Sequence, residues 1–440
     1  MIKTLTSAFK NKDIRKKLLY TLMMLVVMRI GSLLPIPGVD TEYFSTLLSG
    51  FNSGDLSYLS AFTGGSFEKM SLFALSITPY ITSSIIMQLL TIAIPKLEEM
   101  QKEGEDGRKK IASITRYVTI ALALIESIAM AVGFGRQGLI KDYKDMSTIH
   151  YVTCIIVVVA ALTAGSAVLM WIGERITEKG VGNGISIVLL INIISGMPSD
   201  FVTLYSTFVA NKSIARGVTV AVIIAAIVIA VVVLVVILQD GERRIPVQYS
   251  QKVAGRKTIG GQATNIPLKV NTAGVMPIIF ASSIMQFPVI IVQLFTSNSY
   301  EWTKYLSQSY WCRVQMPKYS IGLLLYIILV VVFAYFYTSI TFNPVQIADN
   351  LKKAGGVVPG ITPGRSTSEY LNKILNYIVF IGAVGLMIVA LIPIMCTGFF
   401  NASVSFGGTS IIIIVGVVLE TMKQIESMMV NRNYRGFLSE

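Results

Sequence analysis

The sequence predicts an all-α polytopic membrane protein with ten spanning helices, and three observations carry that fold class. Apolar stretches recur ten times, each followed by a polar connection. The composition is 53% apolar and 14% charged, with a mean hydropathy of +0.67, which leaves too little polar surface to cover a soluble fold of 440 residues. Basic residues also accumulate in alternate connections. With the amino terminus taken as cytosolic, the inner segments 1–17, 95–117, 174–182, 239–271, 343–373 and 421–440 hold 27 of the 37 Lys+Arg, the outer connections hold 9, and Arg29 lies within the first span. By the positive-inside rule this bias places both chain ends in the cytosol.

The spans read, in order, Leu18 to Pro35, Ser71 to Ile94, Ile114 to Phe134, Val152 to Gly173, Gly184 to Met197, Val218 to Leu238, Ala273 to Thr296, Ile321 to Ile340, Ile374 to Cys396 and Thr409 to Met422. An α-helix rises 1.5 Å per residue, so about 20 residues cross a hydrocarbon core of roughly 30 Å. Eight stretches suffice. The fifth and tenth count 14 residues each, and must extend through polar neighbours or sit inside the bundle. A basic run before the first span has the look of a signal peptide, but no small-residue cleavage site follows, Arg29 interrupts the apolar run and Pro35-Ile-Pro-Gly38 ends it. A retained span is expected.

The residues offer no catalytic or metal set. Cys154, Cys312 and Cys396 lie far apart and His150 is the single histidine, so no metal spacing or nucleophile–base pair can be built, and neither cofactor nor metal is expected. Gly133-Phe-Gly-Arg-Gln-Gly138 fits G-x-G-x-x-G, yet it closes an apolar helix on the outer side instead of opening one after a strand. No Walker-type phosphate loop is present. The net charge of +13 arises mainly in the inner connections, which points to anionic headgroups, RNA or an acidic protein docking there.

Three inner connections are long enough to be functional surfaces. The first, Pro95 to Lys110, is charge-dense, with Gly104 and Gly107 expected to break it. The second, 239–271, is punctuated by Gly241, Pro246, Gly255, Gly260, Gly261 and Pro267 around strand-like Ile245-Pro-Val-Gln-Tyr249, which predicts a hairpin. The third, 343–373, holds a short helix from Pro344 to Lys353 and then a Gly/Pro-rich turn region. The second span mixes hydroxyls and an amide (Ser76, Thr82, Ser83, Ser84, Gln88) with bulky apolar residues, and Pro79 is expected to weaken one turn. Close helix packing explains such a face, as does an aqueous path. Leu56 to Phe67, on the outer side, is too short to span and reads as an interfacial or re-entrant helix.

Several blocks occur in order over nearly the whole chain: Arg29-Ile-Gly with Pro35-Ile-Pro-Gly38, Phe73-Ala-Leu with Pro79-Tyr-Ile, Ile86-Met-Gln-Leu-Leu90, Trp171-Ile-Gly-Glu with Gly180-Val-Gly-Asn-Gly-Ile-Ser186, Arg243-Arg-Ile-Pro-Val-Gln-Tyr249, Pro267-Leu-Lys-Val-Asn271, Ile279-Phe-Ala-Ser-Ser283, Pro359-Gly-Ile and Phe406-Gly-Gly-Thr-Ser410. In these blocks the chain resembles the bacterial SecY family of protein-conducting channels. The resemblance implies two five-helix halves, 18–210 and 211–425, flanked by cytosolic segments 1–17 and 426–440, in the bacterial plasma membrane. Unfolded secretory polypeptides would pass between the halves, and signal or transmembrane segments would leave sideways into lipid. Matched motif by motif, an aliphatic ring at the waist would comprise Ile77, Ile81, Ile185, Leu189, Ile279 and Ile413. A plug at 56–67 would include Leu56, Tyr58, Leu59, Phe62 and Phe67. The lateral gate would run between spans two and three and spans seven and eight, with Thr82, Ser83, Gln88, Glu126, Ser283 and Gln286 as its polar residues. Docking residues Arg243, Arg244, Lys252, Arg256, Lys352, Lys353 and Arg365 would receive the SecA motor ATPase or the ribosome, and the small membrane subunits SecE and SecG would accompany the channel.

Glu126 and Arg29 are the ionisable side chains that fall well within spans. Glu126 has two readings, a gate group or a neutral packing residue, and Arg29 one more, a side chain that snorkels. The chain departs from the family at Ile361-Thr362-Pro363, where an arginine is usual between Ile and Pro. Either Arg365 takes over that contact across the Pro363-Gly364 turn, which the intact turn chemistry favours, or the motor is engaged differently. A secondary transporter is the rival, since prolines at 79, 277, 288 and 393 interrupt apolar runs. Such proteins need several buried carboxylates or a polar substrate cluster, and Glu126 stands alone.

The charge bias makes a direct topological prediction. Cysteines placed at Lys109 and Lys257 label only from the cytosolic face and one at Asn401 only from outside; labelling of position 257 from outside would sink the ten-span reading.

Overall fold

In the computed structural model the described residues are 6, 9–50, 63–140, 147–208, 214–249, 252–254, 257–259, 263–295, 300–313, 316–400 and 408–436. The helices before the hairpin are α1 (Lys12–Leu33), α2 (Thr41–Gly50), α3 (Thr78–Ala93), α4 (Pro95–Lys102), α5 (Glu105–Phe134), α6 (Thr148–Lys179), α7 (Gly184–Phe208) and α8 (Ile214–Asp240). Strands β1 (Glu242–Tyr249), β2 (Lys252–Ala254), β3 (Lys257–Ile259) and β4 (Ala263–Lys269) follow, then α9 (Met276–Phe295), α10 (Glu301–Leu306), α11 (Ile321–Thr341), α12 (Pro344–Lys353), β5 (Gly356–Val357), α13 (Arg365–Phe400) and α14 (Gly408–Gly436).

Among the described residues ten helices have 16 or more residues, and they fall on the ten stretches read from the sequence. Five are long and apolar enough to cross a membrane alone, and α3 with α4 forms a sixth unit bent by 100°. The two short stretches extend as expected. The helix α7 runs for 25 residues through Pro198, and α14 runs for 29 into a charged tail. Exposed apolar side chains such as Ile229, Ile237 and Ile321 line the outside of the bundle, where lipid is the solvent.

One central core joins the helices. Met28, Leu169, Val188, Val235, Ile278, Val389 and Ile412, from seven different helices, are all 0% exposed and belong to it. A second cluster, with Phe44, Phe67, Met70 and Phe134, closes one end of the bundle. A third, built on Ile245, Val247, Leu268, Leu351 and Leu371, lies at the other end, which carries the hairpin and is called the basic end below.

The second stretch differs from its expected form. Ser71 forms an antiparallel bridge with Pro35, residues 72–77 are turns with Ser76 at φ 53°, and α3 begins only at Thr78. Pro79 stands in the first turn of α3, where its missing N–H costs nothing, so it starts the helix instead of weakening one. The irregular backbone is satisfied by the protein: Leu72 N donates to Leu34 O at 3.0 Å, Ile36 N to Met70 O at 3.1 Å and Ser76 N to Phe73 O at 2.8 Å. Its seat against α6 requires Gly165, where an added Cβ would lie 1.8 Å from Leu72 O. The first inner connection also needs correction. Gly104, at φ +85°, separates α4 from α5, but Gly107 lies inside α5, where a Cβ would meet Met100 O at 1.7 Å. Gly107 permits close approach and breaks nothing.

Beyond the helices, the predicted hairpin and the helix Pro344–Lys353 are both present. Gly133 falls in the last turn of α5, with no strand before it.

Overpacking at Gly165 tests the seat of residues 71–77. Gly165→Leu forces backbone apart and lowers the unfolding midpoint in detergent, by an amount on the order of 1–3 kcal/mol. Gly196→Ala, where nothing lies within 4 Å of the new Cβ, leaves the midpoint in place.

Candidate functional site

The aliphatic residues are positioned by helix starts. Ile77 is the N-cap of α3 and Ile81 stands one turn on, so the two share a face. Ile185 and Leu189 repeat that spacing on α7. The first turn of α7 is held by Asn183, whose Oδ1 accepts from Ile185 N at 3.1 Å, and Gly184 is compelled because a Cβ there would sit 1.9 Å from Gly173 O. On the far side, Asn271 Nδ2 donates to Gly274 O at 2.9 Å and shapes the turn that leads into α9 and Ile279. Ile413 is carried by α14.

Ile81, Ile185, Leu189, Ile279 and Ile413, from four helices, border one cavity of about 410 Å³. Its remaining wall mixes apolar residues such as Val275, Met276 and Val417 with polar ones that include Asn183, Gln239, Lys269, Asn271, Glu420 and Lys423, of which Lys423 pairs with Asp240 at 2.6 Å. Ile77, 1% exposed, is packed in the central core and does not border the cavity. The site is thus a cavity with an aliphatic side and a polar side, the latter toward the basic end. A ring of branched aliphatics excludes water when narrow and offers a passing chain no polar partner. Of the polar wall only Ser84 and Gln88 were singled out in the sequence, because the others sit at helix ends and loop starts, where polar side chains are ordinary.

The gate residues divide. The pair α5 and α9 pack directly on each other and form a seam between the first and last five long helices. Ser83 bonds Thr119 Oγ1 at 2.5 Å and fastens α3 to α5. Thr82 donates to Thr78 O of its own helix at 3.1 Å, not to Glu126. Gln88 borders the cavity, and its buried Oε1 has no hydrogen-bond partner among the described residues. Glu126 and Ser283 are half-buried, Gln286 is buried, and Glu126 forms no ion pair among the described residues.

Of the segment 56–67, Leu56, Tyr58, Leu59 and Phe62 lie outside the described residues. Its carboxyl end is anchored. Phe67 packs edge-on to Phe44 and Phe134, with ring centroids 5.9 and 6.3 Å apart. Gly64 O accepts from Arg29 Nη1 and from Ser195 Oγ, both at 3.4 Å. Arg29 therefore reaches a carbonyl inside the protein instead of snorkelling to an interface.

The two longer basic-end connections form one body. β1 pairs antiparallel with β4 and also with β5, through Gln248↔Val357 and Tyr249↔Gly356. Sequence reading kept these loops apart, since a two-residue strand carries no legible pattern. Arg243, Arg244, Lys352, Lys353 and Arg365 are exposed on this body. Arg244 pairs with Glu242 at 2.6 Å, and Arg365, 93% exposed at the first residue of α13, pairs with Glu369 at 3.0 Å. A cation at a helix N-terminus opposes the helix dipole, so this arginine is placed there against local preference. Lys252 lies on β2 and Arg256 outside the described residues. Cys154 and Cys312 are free thiols, and burial raises the Cys312 thiol above its ordinary pKa, which keeps it protonated.

Known proteins match both the sequence and the fold. The SecY family model covers residues 71–422. The protein translocase subunit SecY of Streptomyces galbus is 42% identical over 100% of both chains. A solved SecY whose plug domain is described as stabilising the closed state of the translocation channel superposes with a TM-score of 0.61 at 17% identity, over 94% of this chain and 92% of the other. Sec61 from the canine ribosome–channel complex of the endoplasmic reticulum gives 0.57 at 17%, over 94% and 93%. With its fold, motifs and full length all shared, the chain belongs to the SecY family.

Proposed function

We propose that this multi-pass membrane protein passes unfolded secretory polypeptides through the constriction and releases signal or transmembrane segments laterally into lipid. One observation carries the reading: five aliphatic residues from four helices converge on one cavity with a polar mouth. The polypeptide passes between halves 18–210 and 211–425, and Ile77, Ile81, Ile185, Leu189, Ile279 and Ile413 form the seal, with Ile77 as its buried buttress. The segment 56–67 acts as the plug on the outer side, tethered through Gly64. The lateral gate opens along the α5–α9 seam. Sideways exit needs no fuel: ten Leu-like residues at about −0.5 kcal/mol each favour lipid by roughly 5 kcal/mol. Relatives of this chain are translocase subunits, and no catalytic role is assigned to it.

The location proposed is the bacterial plasma membrane, with both chain ends in the cytosol and the basic end facing it. There the joined sheet presents Arg243, Arg244, Lys352, Lys353 and Arg365 to the SecA motor or the ribosome, with Lys252 and Arg256 on the hairpin between. A ribosome-bound complex contains the Sec61 neighbour, which supports the second partner. SecE and SecG complete the assembly against the lipid-facing helices. Of the prolines behind the transporter reading, Pro79 and Pro277 stand in the first turns of α3 and α9 and do not break them, while Pro288 and Pro393 lie inside α9 and α13; the relatives are translocase subunits and lend that reading no support.

Ile81→Asn or Ile279→Asn wets the constriction, so ion leak rises in proteoliposomes and preproteins with defective signal sequences pass more readily. Wild-type conductance and selectivity in both variants would remove the ring from its role.

Arg365 takes over the docking contact of the arginine absent at Thr362. Arg365→Glu abolishes motor-driven translocation while assembly stays normal, and adding Thr362→Arg partly restores it. Translocation by Arg365→Glu at the wild-type rate would place the contact elsewhere.

A further inference from the structure

The turn at residues 180–184 joins parts of the molecule that the channel reading requires to separate. Val181 N donates to Thr21 Oγ1 of α1 at 3.1 Å. Its neighbour Gly182 N donates to Gln424 Oε1 of α14 at 2.6 Å, a bond between the first five long helices and the last five. Around these bonds lies a separate apolar cluster, Ile14 from the start of α1 and Val181 from the turn with Met422 and Ile425 from α14, all under a tenth exposed. Gly182 is buried at φ +83°, and a Cβ there would lie 2.6 Å from Ile187 Cδ1 and 3.0 Å from Thr421 Oγ1. The chain has thus been brought to α14 by backbone, at a position that only glycine occupies without strain.

The position of this turn gives it leverage. Asn183, the next residue, holds the first turn of α7. Ile185 and Leu189 follow on that helix, and Ile413 is on α14, which packs along α7. Widening the constriction moves these two helices apart, and that motion parts Gly182 from Gln424. A buried N–H left without an acceptor is unfavourable beyond the bond itself, and exposing Val181, Met422 and Ile425 to water opposes the motion further.

We propose that the turn 180–184 is a clasp that holds the two halves closed at the basic end, with Gln424 its positioning residue. This rests on the channel reading above. The clasp adds a closing element distinct from the aliphatic ring and the plug, on the opposite side of the constriction from the plug. Its parts have opposed roles: the hydrogen bond sets the register of α7 on α14, and the apolar cluster supplies cohesion without direction.

The test uses the complete channel in proteoliposomes. Gln424→Leu removes the acceptor, and Gln424→Glu retains one at the same reach. The Leu variant raises both ion leak and passage of a preprotein with a defective signal sequence about fivefold, and the Glu variant stays within twofold of wild type. A second arm works in the other direction. In a background lacking Cys154, Cys312 and Cys396, Val181→Cys with Ile425→Cys is cross-linked by a short bismaleimide; translocation stops, while the untreated pair translocates. Wild-type leak and selectivity in the Leu variant overturn the clasp, as does a cross-linked channel that translocates at the untreated rate. Wild-type vesicles read the channel function itself, so its loss there would overturn that reading and not the clasp, which the leak ratio judges separately.

Discussion

Hydrocarbon supplies no hydrogen-bond partners, so each backbone N–H and C=O at membrane depth must be satisfied within the protein. The long helices meet that demand on their own. The segment from Thr63 to Ile77 cannot, and the rest of this end of the molecule is arranged to receive it. Leu34 and Phe73 carbonyls accept from its Leu72 and Ser76 N–H groups, its Met70 carbonyl accepts from Ile36 N, Arg29 and Ser195 donate to Gly64 O, and Asn192 Nδ2 donates to Ser76 Oγ at 2.9 Å. Irregular chain at this depth is tolerated where it is buried or lines a cavity, and here it does the first while leading into the helix that does the second.

That arrangement links residues 63–67 to the cavity-lining face of α3. The same fifteen residues end at Ile77 and α3, so the tether at Gly64 and the aliphatic face of α3 are joined by one continuous packed segment. Glycine makes the unit possible: Gly165 admits the backbone of Leu72, and Gly184 lets α7 start against α6. Side chains at these points would separate helices whose faces carry the ring.

At the basic end the constraint is different, because water is available and the backbone can be solvated. The sheet forms there for cohesion. Two exposed loops, each too short to bury a core alone, share Ile245, Val247, Leu268, Leu351, Val358 and Leu371. A shared core gives the exposed arginines and lysines fixed relative positions, which independent loops would not hold.

Residue order alone was enough for the long helices, the β1–β4 hairpin and the helix Pro344–Lys353, since each depends on local periodicity or turn residues. The ring residues became legible only through resemblance, because a branched aliphatic facing a cavity has the same local pattern as one facing another helix. Tertiary structure decided the rest. It turned residues 71–77 out of the helix, since their N–H groups found acceptors on a neighbouring segment. Gly107 it assigned to close approach, not to a break. It joined β5 to β1 across more than a hundred residues, and it placed Gly182 against Gln424. Contacts at that separation in the chain depend on which surfaces meet in space, and local pattern carries no record of that.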